Sequence, residues 1–147
     1  MLVIERGSLF NLFGFQALCQ WYQHWHHPKQ LTSMTNVSTP QKYQDCIEAC
    51  QACATACDSC AEACLGEQDI KMMVDCIRLD RDCAKICYTA VSFMASGSAY
   101  ADDICKICAQ ICEACATVCE KHAGHFDHCK RCAEACRRCA EACRNMA

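Results

Sequence analysis

The sequence predicts an all-α fold, an antiparallel up-down four-helix bundle with a cysteine-lined core. Three observations carry that expectation. The stretch CKICAQICEACATVC puts cysteines at 105, 108, 112, 115 and 119, and gaps alternating between three and four match the 3.5-residue seam period of packed helices. The same beat recurs in three further segments of the chain. Short turn signals separate the four segments, which makes consecutive helices antiparallel neighbours.

The elements follow in order. Thr39 and Pro40 read as an N-cap and a proline at the first helical position. The first helix then covers about 40–65, with Cys46, Cys50, Cys53, Cys57, Cys60 and Cys64, and Gly66 is the expected C′ residue. A second helix over 69–96 carries Cys76, Cys83 and Cys87 and ends at the breaker SGSA. The third covers 99–121 with Cys105, Cys108, Cys112, Cys115 and Cys119. After the turn HAGHF, the fourth covers 125–145 with Cys129, Cys132, Cys136, Cys139 and Cys143. Polar positions such as Glu48, Glu62, Lys106, Glu113, Arg137 and Glu141 fall on the outer faces, so the cysteine stripes point inward together.

Residues 1–38 have a different composition. They hold Phe10, Phe13, Phe15, Trp21, Trp25 and Cys19 without a sustained period. Two readings stand for this segment: a poorly structured N-terminal extension, or a mis-assigned start ahead of Met34, which opens MTNVSTPQKYQDC. The cluster His24, His26 and His27 reads as a tail rather than a metal site. Glu5 spoils a positive n-region and no A-x-A-like cleavage site follows, so the expected address is the cytoplasm, where thiols stay reduced.

Bulk properties narrow the function. A net charge of -3 across 147 residues, with a pI of about 6.0, offers no electrostatic footprint for nucleic acid. No apolar run reaches the 18 or so residues of a membrane span. There are no paired catalytic acids, no activated nucleophile and no nucleotide loop, so no enzyme is expected. The outlier is 20 cysteines. Cysteine buries little apolar area, so a core of cysteines makes poor sense as packing alone. Helical neighbours at i,i+3 or i,i+4 have Cβ atoms about 5–6 Å apart, too far for an unstrained disulfide at about 3.5–4.5 Å.

Metal binding is the remaining reason. Soft thiolates select Cu(I), Zn(II) or iron–sulfur clusters. The CxxCxxC run of ferredoxin loops is absent. A Zn(Cys)4 unit carries a charge of about -2, and several of them would bury many uncompensated charges. Cu(I) with bridging thiolates balances charge one to one, so the nineteen stripe cysteines have room for about ten ions without bridging and about nineteen with it. Loading must release protons, because an unloaded core of ionised thiolates has no countercharge.

The topology also locates an open end. The turns near Gly66 and Gly124 lie together, opposite the chain termini. One seam step toward that end runs from Cys119 to His122, from Cys129 back to His125, from Cys76 back to Met73 and from Cys64 to Glu67. His122 and His125 are therefore the expected capture ligands, while His128 lies off the stripe. At the far end Met94 plugs the seam. Asp80, on the inward stripe of the second helix, is expected to pair with Arg78 or Arg81.

The stretches CIRLDRDCAKIC, ICEACATVCEKH and CAEACRRCAEACRNMA resemble the cytosolic bacterial copper storage proteins, over about residues 42–147. That resemblance implies a bundle whose core thiolates hold many Cu(I) ions, a histidine-lined entrance, a role in cytosolic copper storage or detoxification, and a homotetramer. It carries the metal-ligand role onto the nineteen stripe cysteines named above. A copper donor or acceptor is the implied partner, alongside the copper ions themselves. An iron–sulfur, ferredoxin-like electron carrier and a zinc-buffering, metallothionein-like protein are the alternatives.

Overall fold

The computed structural model describes residues 41–146. The Thr39–Pro40 cap, Cys19, the His24 to His27 cluster, Met34 and the expected extension over residues 1–38 lie outside the described residues. A 3-10 turn at Gln41–Tyr43 leads into four helices, α1 (Gln44–Leu65), α2 (Ile70–Ala95), α3 (Ala101–His122) and α4 (Asp127–Arg144). The boundaries fall within a few residues of expectation. The largest shift is at the start of α1, where the regular helix begins at Gln44 rather than 40.

Each helix packs against its two neighbours, α1 on α2 and α4, and α3 on α2 and α4. The result is the four-helix bundle that the periodicity predicts. The buried residues of each helix repeat the seam: Cys46, Cys50, Cys53, Cys57, Cys60 and Cys64 on α1, with Ala54 and Ala61 filling beside them. Alanine flanks the cysteines on α3 and α4 in the same way, at Ala109, Ala116, Ala133 and Ala140. Small flanking residues let the backbones approach and bring the sulfurs together.

The connections show how the chain reverses. At the end of α2, Gly97 has φ of 64°. Its N–H donates to Met94 O at 3.0 Å and the Ser98 N–H donates to Phe93 O at 3.0 Å, the bond pattern of a Schellman cap, which favours glycine at the left-handed position. The α1–α2 turn differs from expectation. Gly66 caps α1 with φ of −86°, in the right-handed region, so left-handed geometry is not what ends that helix. Its N–H donates to Ala63 O at 3.0 Å, and the Glu67 N–H donates to Cys64 O at 3.3 Å.

On the outside, Arg137 of α4 reaches Glu113 and Glu120 of α3, and Arg144 also reaches Glu113. These side chains are at least a third exposed, and such pairs contribute about 0–1 kcal/mol each. They orient α3 against α4 more than they stabilise it. Among the described residues no helix is long and apolar enough to cross a membrane.

Candidate metal core

All nineteen cysteines of the described bundle are free and buried. Their sulfurs form a column. Near the chain termini Cys143 lies 3.6 Å from both Cys46 and Cys50. Deeper in, Cys87 lies 3.7 Å from Cys108 and Cys112, and Cys83 lies 3.5 Å from Cys112. Cys57 continues the column to Cys136 at 3.5 Å and Cys132 at 3.6 Å. Toward the other end Cys76 lies 3.4 Å from Cys119 and 3.9 Å from Cys129. Metal–thiolate bonds of about 2.3 Å, as for zinc, hold two sulfurs on one ion about 3.8 Å apart in tetrahedral geometry and about 4.0 Å in trigonal geometry. The sulfurs of the column stand close to such separations.

Several four-ligand sets are closed enough to share an ion, including Cys53, Cys87, Cys112 and Cys139, and Cys57, Cys115, Cys132 and Cys136. Cysteines recur in more than one set; Cys53 and Cys57 also join Cys83 and Cys136. Overlapping membership is what bridging thiolates require. The periodicity supplies this overlap, since most stripe cysteines have one neighbour three residues away on one side and one four residues away on the other.

The two ends of the column differ. At the terminal end Met94 is fully buried and Tyr43 is 4% exposed. The Tyr43 hydroxyl donates to Asp102 Oδ1 at 2.6 Å, which pins the ring across the end of the seam. Met94 thus occupies the plug position expected for it.

At the other end the structure gathers Cys60, Cys64, Cys129 and His128 into one set. His128 Nδ1 lies 3.5 Å from Cys60 Sγ, 3.8 Å from Cys64 Sγ and 3.4 Å from Cys129 Sγ. This differs from the seam extension, which favoured His122 and His125. His122 is half-buried and His125 is exposed, and among the described residues neither ring bonds a core thiol. The reason is a stripe beside the seam. His128, Arg131, Ala135 and Arg138 repeat at three, four and three residues and line a groove of about 530 Å³ facing Ala52, Ala56 and Ala63 of α1. Opposite those alanines a long side chain on this flank has room to turn inward. The signal was present in the sequence as a second stripe one position from the cysteines. Met73 is buried at the same end, on the α2 stripe where the sequence placed it.

Asp80 corrects a second expectation. It is fully buried, and among the described residues no arginine reaches it. Arg81 points outward to Glu62 at 3.8 Å, because residues one or two apart on a helix face different ways. The carboxyl group instead receives thiols: Cys115 at 3.1 Å, Cys132 at 3.3 Å and Cys119 at 3.4 Å donate to Oδ1, and Cys76 at 3.6 Å donates to Oδ2. Burial, and then the neighbouring sulfurs, push its pKa up to about 10. Among these thiols it stands as a neutral acid.

The thiols hydrogen-bond one another, which lowers some, such as Cys83, and raises others, such as Cys87, but a buried column without countercharge keeps its protons. Burial pushes the Cys64 thiol up to about 12, so copper must displace a proton there at neutral pH. Loading is expected to release about one proton per thiol engaged. A weakly buffered, anaerobic Cu(I) titration read with a pH indicator checks this. Release far below one proton per copper at the first additions would contradict a protonated core.

An all-helical bundle with a continuous column of free thiols, plugged at one end and bearing a histidine at the other, defines the class: a thiol-cored protein that ligates several soft metal ions. The family described as Csp, copper storage protein, matches residues 39–147, and the chain belongs to that family. Among solved structures it is similar to the Cu(I)-bound copper storage protein BsCsp3, at 50% identity and a TM-score of 0.69, over 73% of this chain and 99% of that one. It is also similar to a cytosolic copper storage protein from Streptomyces lividans holding five coppers, at 39% identity and a TM-score of 0.69, over 71% of this chain and 91% of that one. A curated relative, the uncharacterized cysteine-rich protein YhjQ of Bacillus subtilis (strain 168), is 50% identical over 69 residues. That match spans 47% of this chain and 64% of the relative's length.

Proposed function

We propose that this chain stores and detoxifies Cu(I) in the cytosol, holding many ions on core thiolates without catalytic turnover. One observation carries the reading: nineteen free, buried thiols in a column of overlapping four-ligand sets. A sensor or a chaperone needs one site, whereas a core composed of ligands supplies capacity. Membership in the copper storage protein family supports the same reading, as does likeness to a relative described as cytosolic and copper-loaded.

The ligands in this proposal are the nineteen cysteines, with His128 joining Cys60, Cys64 and Cys129 at the open end. His122 and His125 are retained as solvent-side capture groups on the α3–α4 turn at that end. In this reading ions enter past His128 and the Tyr43 end stays closed. A homotetramer belongs to the proposal too. Exposed apolar residues such as Met72, Tyr88, Tyr100 and Ile107 would supply its contacts, and light scattering of the full chain reads the assembly state. A copper donor or acceptor would dock at the open end.

Anaerobic titration with Cu(I) against a competing chromophoric chelator tests the capacity. The expected result is ten or more tightly held ions per chain, approaching about nineteen if thiolates bridge, with no iron–sulfur absorbance. Saturation at one or two ions would overturn storage. Displacement of Cu(I) from the core by comparable zinc would favour a zinc buffer instead.

A further inference from the structure

Glu67 stands in the α1–α2 turn and belongs to none of the ligand sets described above. Its carboxylate Oε1 lies 3.1 Å from His128 Nε2. The opposite nitrogen of the same ring, Nδ1, faces three thiols at 3.4–3.8 Å. A neutral imidazole has one N–H and one lone pair, and a metal takes only the lone pair. An ionised carboxylate accepts hydrogen bonds and donates none. The pairing therefore puts the proton on Nε2 and leaves the Nδ1 lone pair aimed among Cys60, Cys64 and Cys129.

We infer that Glu67 is a positioning residue for the open-end copper site, selecting the His128 tautomer and ring orientation that present Nδ1 to the first arriving ion. The inference rests on the copper reading above and adds a residue to it that touches no metal. Metal-bound histidines generally donate their second N–H to an oxygen acceptor, and loss of that acceptor costs about 10–100-fold in affinity or activity.

The surroundings hold both partners in place. Glu67 is anchored by its backbone N–H on Cys64 O at 3.3 Å, so the carboxylate and one of the thiols it serves move as one unit. His128 lies in the first turn of α4, directly before Cys129. The Phe126 ring packs against the imidazole with centroids 5.5 Å apart, which limits its rotation away from the column. The histidine side chain is 14% exposed and the glutamate 31%. The carboxylate thus stays in contact with solvent while the ring it orients is largely covered. An ordinary surface ion pair would hold the two turns together but would place no demand on which nitrogen carries the proton.

The test uses the full-length reduced chain, as wild type, Glu67→Ala and Glu67→Gln. Long-range proton–nitrogen NMR of the unloaded protein reads the His128 tautomer. Stopped-flow transfer of a single equivalent of Cu(I) from a chromophoric chelator reads first capture, and full titration reads total capacity. Expected for wild type is an Nε2–H tautomer. Expected for Glu67→Ala is a mixture of tautomers and first capture slowed about tenfold, with capacity unchanged. Glu67→Gln, whose amide oxygen accepts the same proton, restores most of both. An unchanged tautomer and capture rate in Glu67→Ala would overturn the inference. So would a Glu67→Gln as impaired as Glu67→Ala, because charge rather than orientation would then be acting. A wild type that saturates at one or two ions would instead defeat the storage reading, independently of Glu67.

Discussion

Loading the chain with Cu(I) is expected to raise its unfolding midpoint by tens of degrees. The unloaded core is a weak one. Among its fully buried side chains the large apolar ones are Met73 and Met94, and the column itself is cysteine flanked by alanine. Full burial of a leucine-sized side chain contributes about 1.5–3 kcal/mol, and a thiol buries much less area. The exterior cannot compensate, since the Arg137 and Arg144 pairs are exposed. Each bound ion adds about 2.7 kcal/mol when free copper stands at a hundredfold over its dissociation constant. Several ions together exceed the 5–15 kcal/mol or so that holds an ordinary domain folded. Anaerobic calorimetry or circular-dichroism melts of the unloaded and stepwise-loaded protein read the effect. Equal midpoints with and without copper would mean that the ions bind outside the core.

The second large effect concerns Asp80 in the unloaded protein. Its folded pKa stands at about 10, whereas an unfolded aspartate titrates near 3.9. The native state therefore holds a proton that the unfolded chain releases. Below about pH 4 both states are protonated and the contribution of this group to stability is fully present. Above that, stability falls by about 1.4 kcal/mol per pH unit until the native acid also ionises. Urea unfolding with chelator and reductant is thus expected to give lower stability at pH 8 than at pH 5. Asp80→Asn removes the titrating group and flattens this slope. It also stabilises the unloaded protein at pH 8 relative to wild type. The window stops at pH 8 because free thiols begin to ionise near 8.5. A slope in Asp80→Asn equal to that of wild type would show that some other group carries the pH dependence.

Comparison of Asp80 with His128 shows what kind of information was legible along the chain. The inward direction of Asp80 followed from its place on the α2 stripe between Cys76 and Cys83, and the structure buries it there. Its partners did not follow, because Arg78 and Arg81 are close along the chain yet lie on other faces of the same helix. Three of the four thiols it meets come from α3 and α4, 35 to 52 residues away, and the fourth, Cys76, stands one turn back on its own helix. His128 presents the opposite case. Its helix face was readable, but the inward turn of its ring depends on small residues of α1 and on Glu67 from another turn. Gly66 is a third instance. Its place just beyond the last cysteine of α1 ended the helix as expected, while its backbone took a right-handed conformation that any residue can adopt.

By itself the sequence determined the bundle, the inward set of nineteen cysteines, the location of the turns and the soft-metal chemistry. These depend on periodicity, on propensity and on the donor type of one residue, all of which are local along a chain. Only the tertiary structure decided that the sulfurs stand at ligating distance, that Asp80 is neutral among thiols, and that His128 with Glu67 marks the open end. Those features depend on distances of a few ångströms between different helices. A seam period specifies which face turns inward, but not which neighbour a side chain meets there.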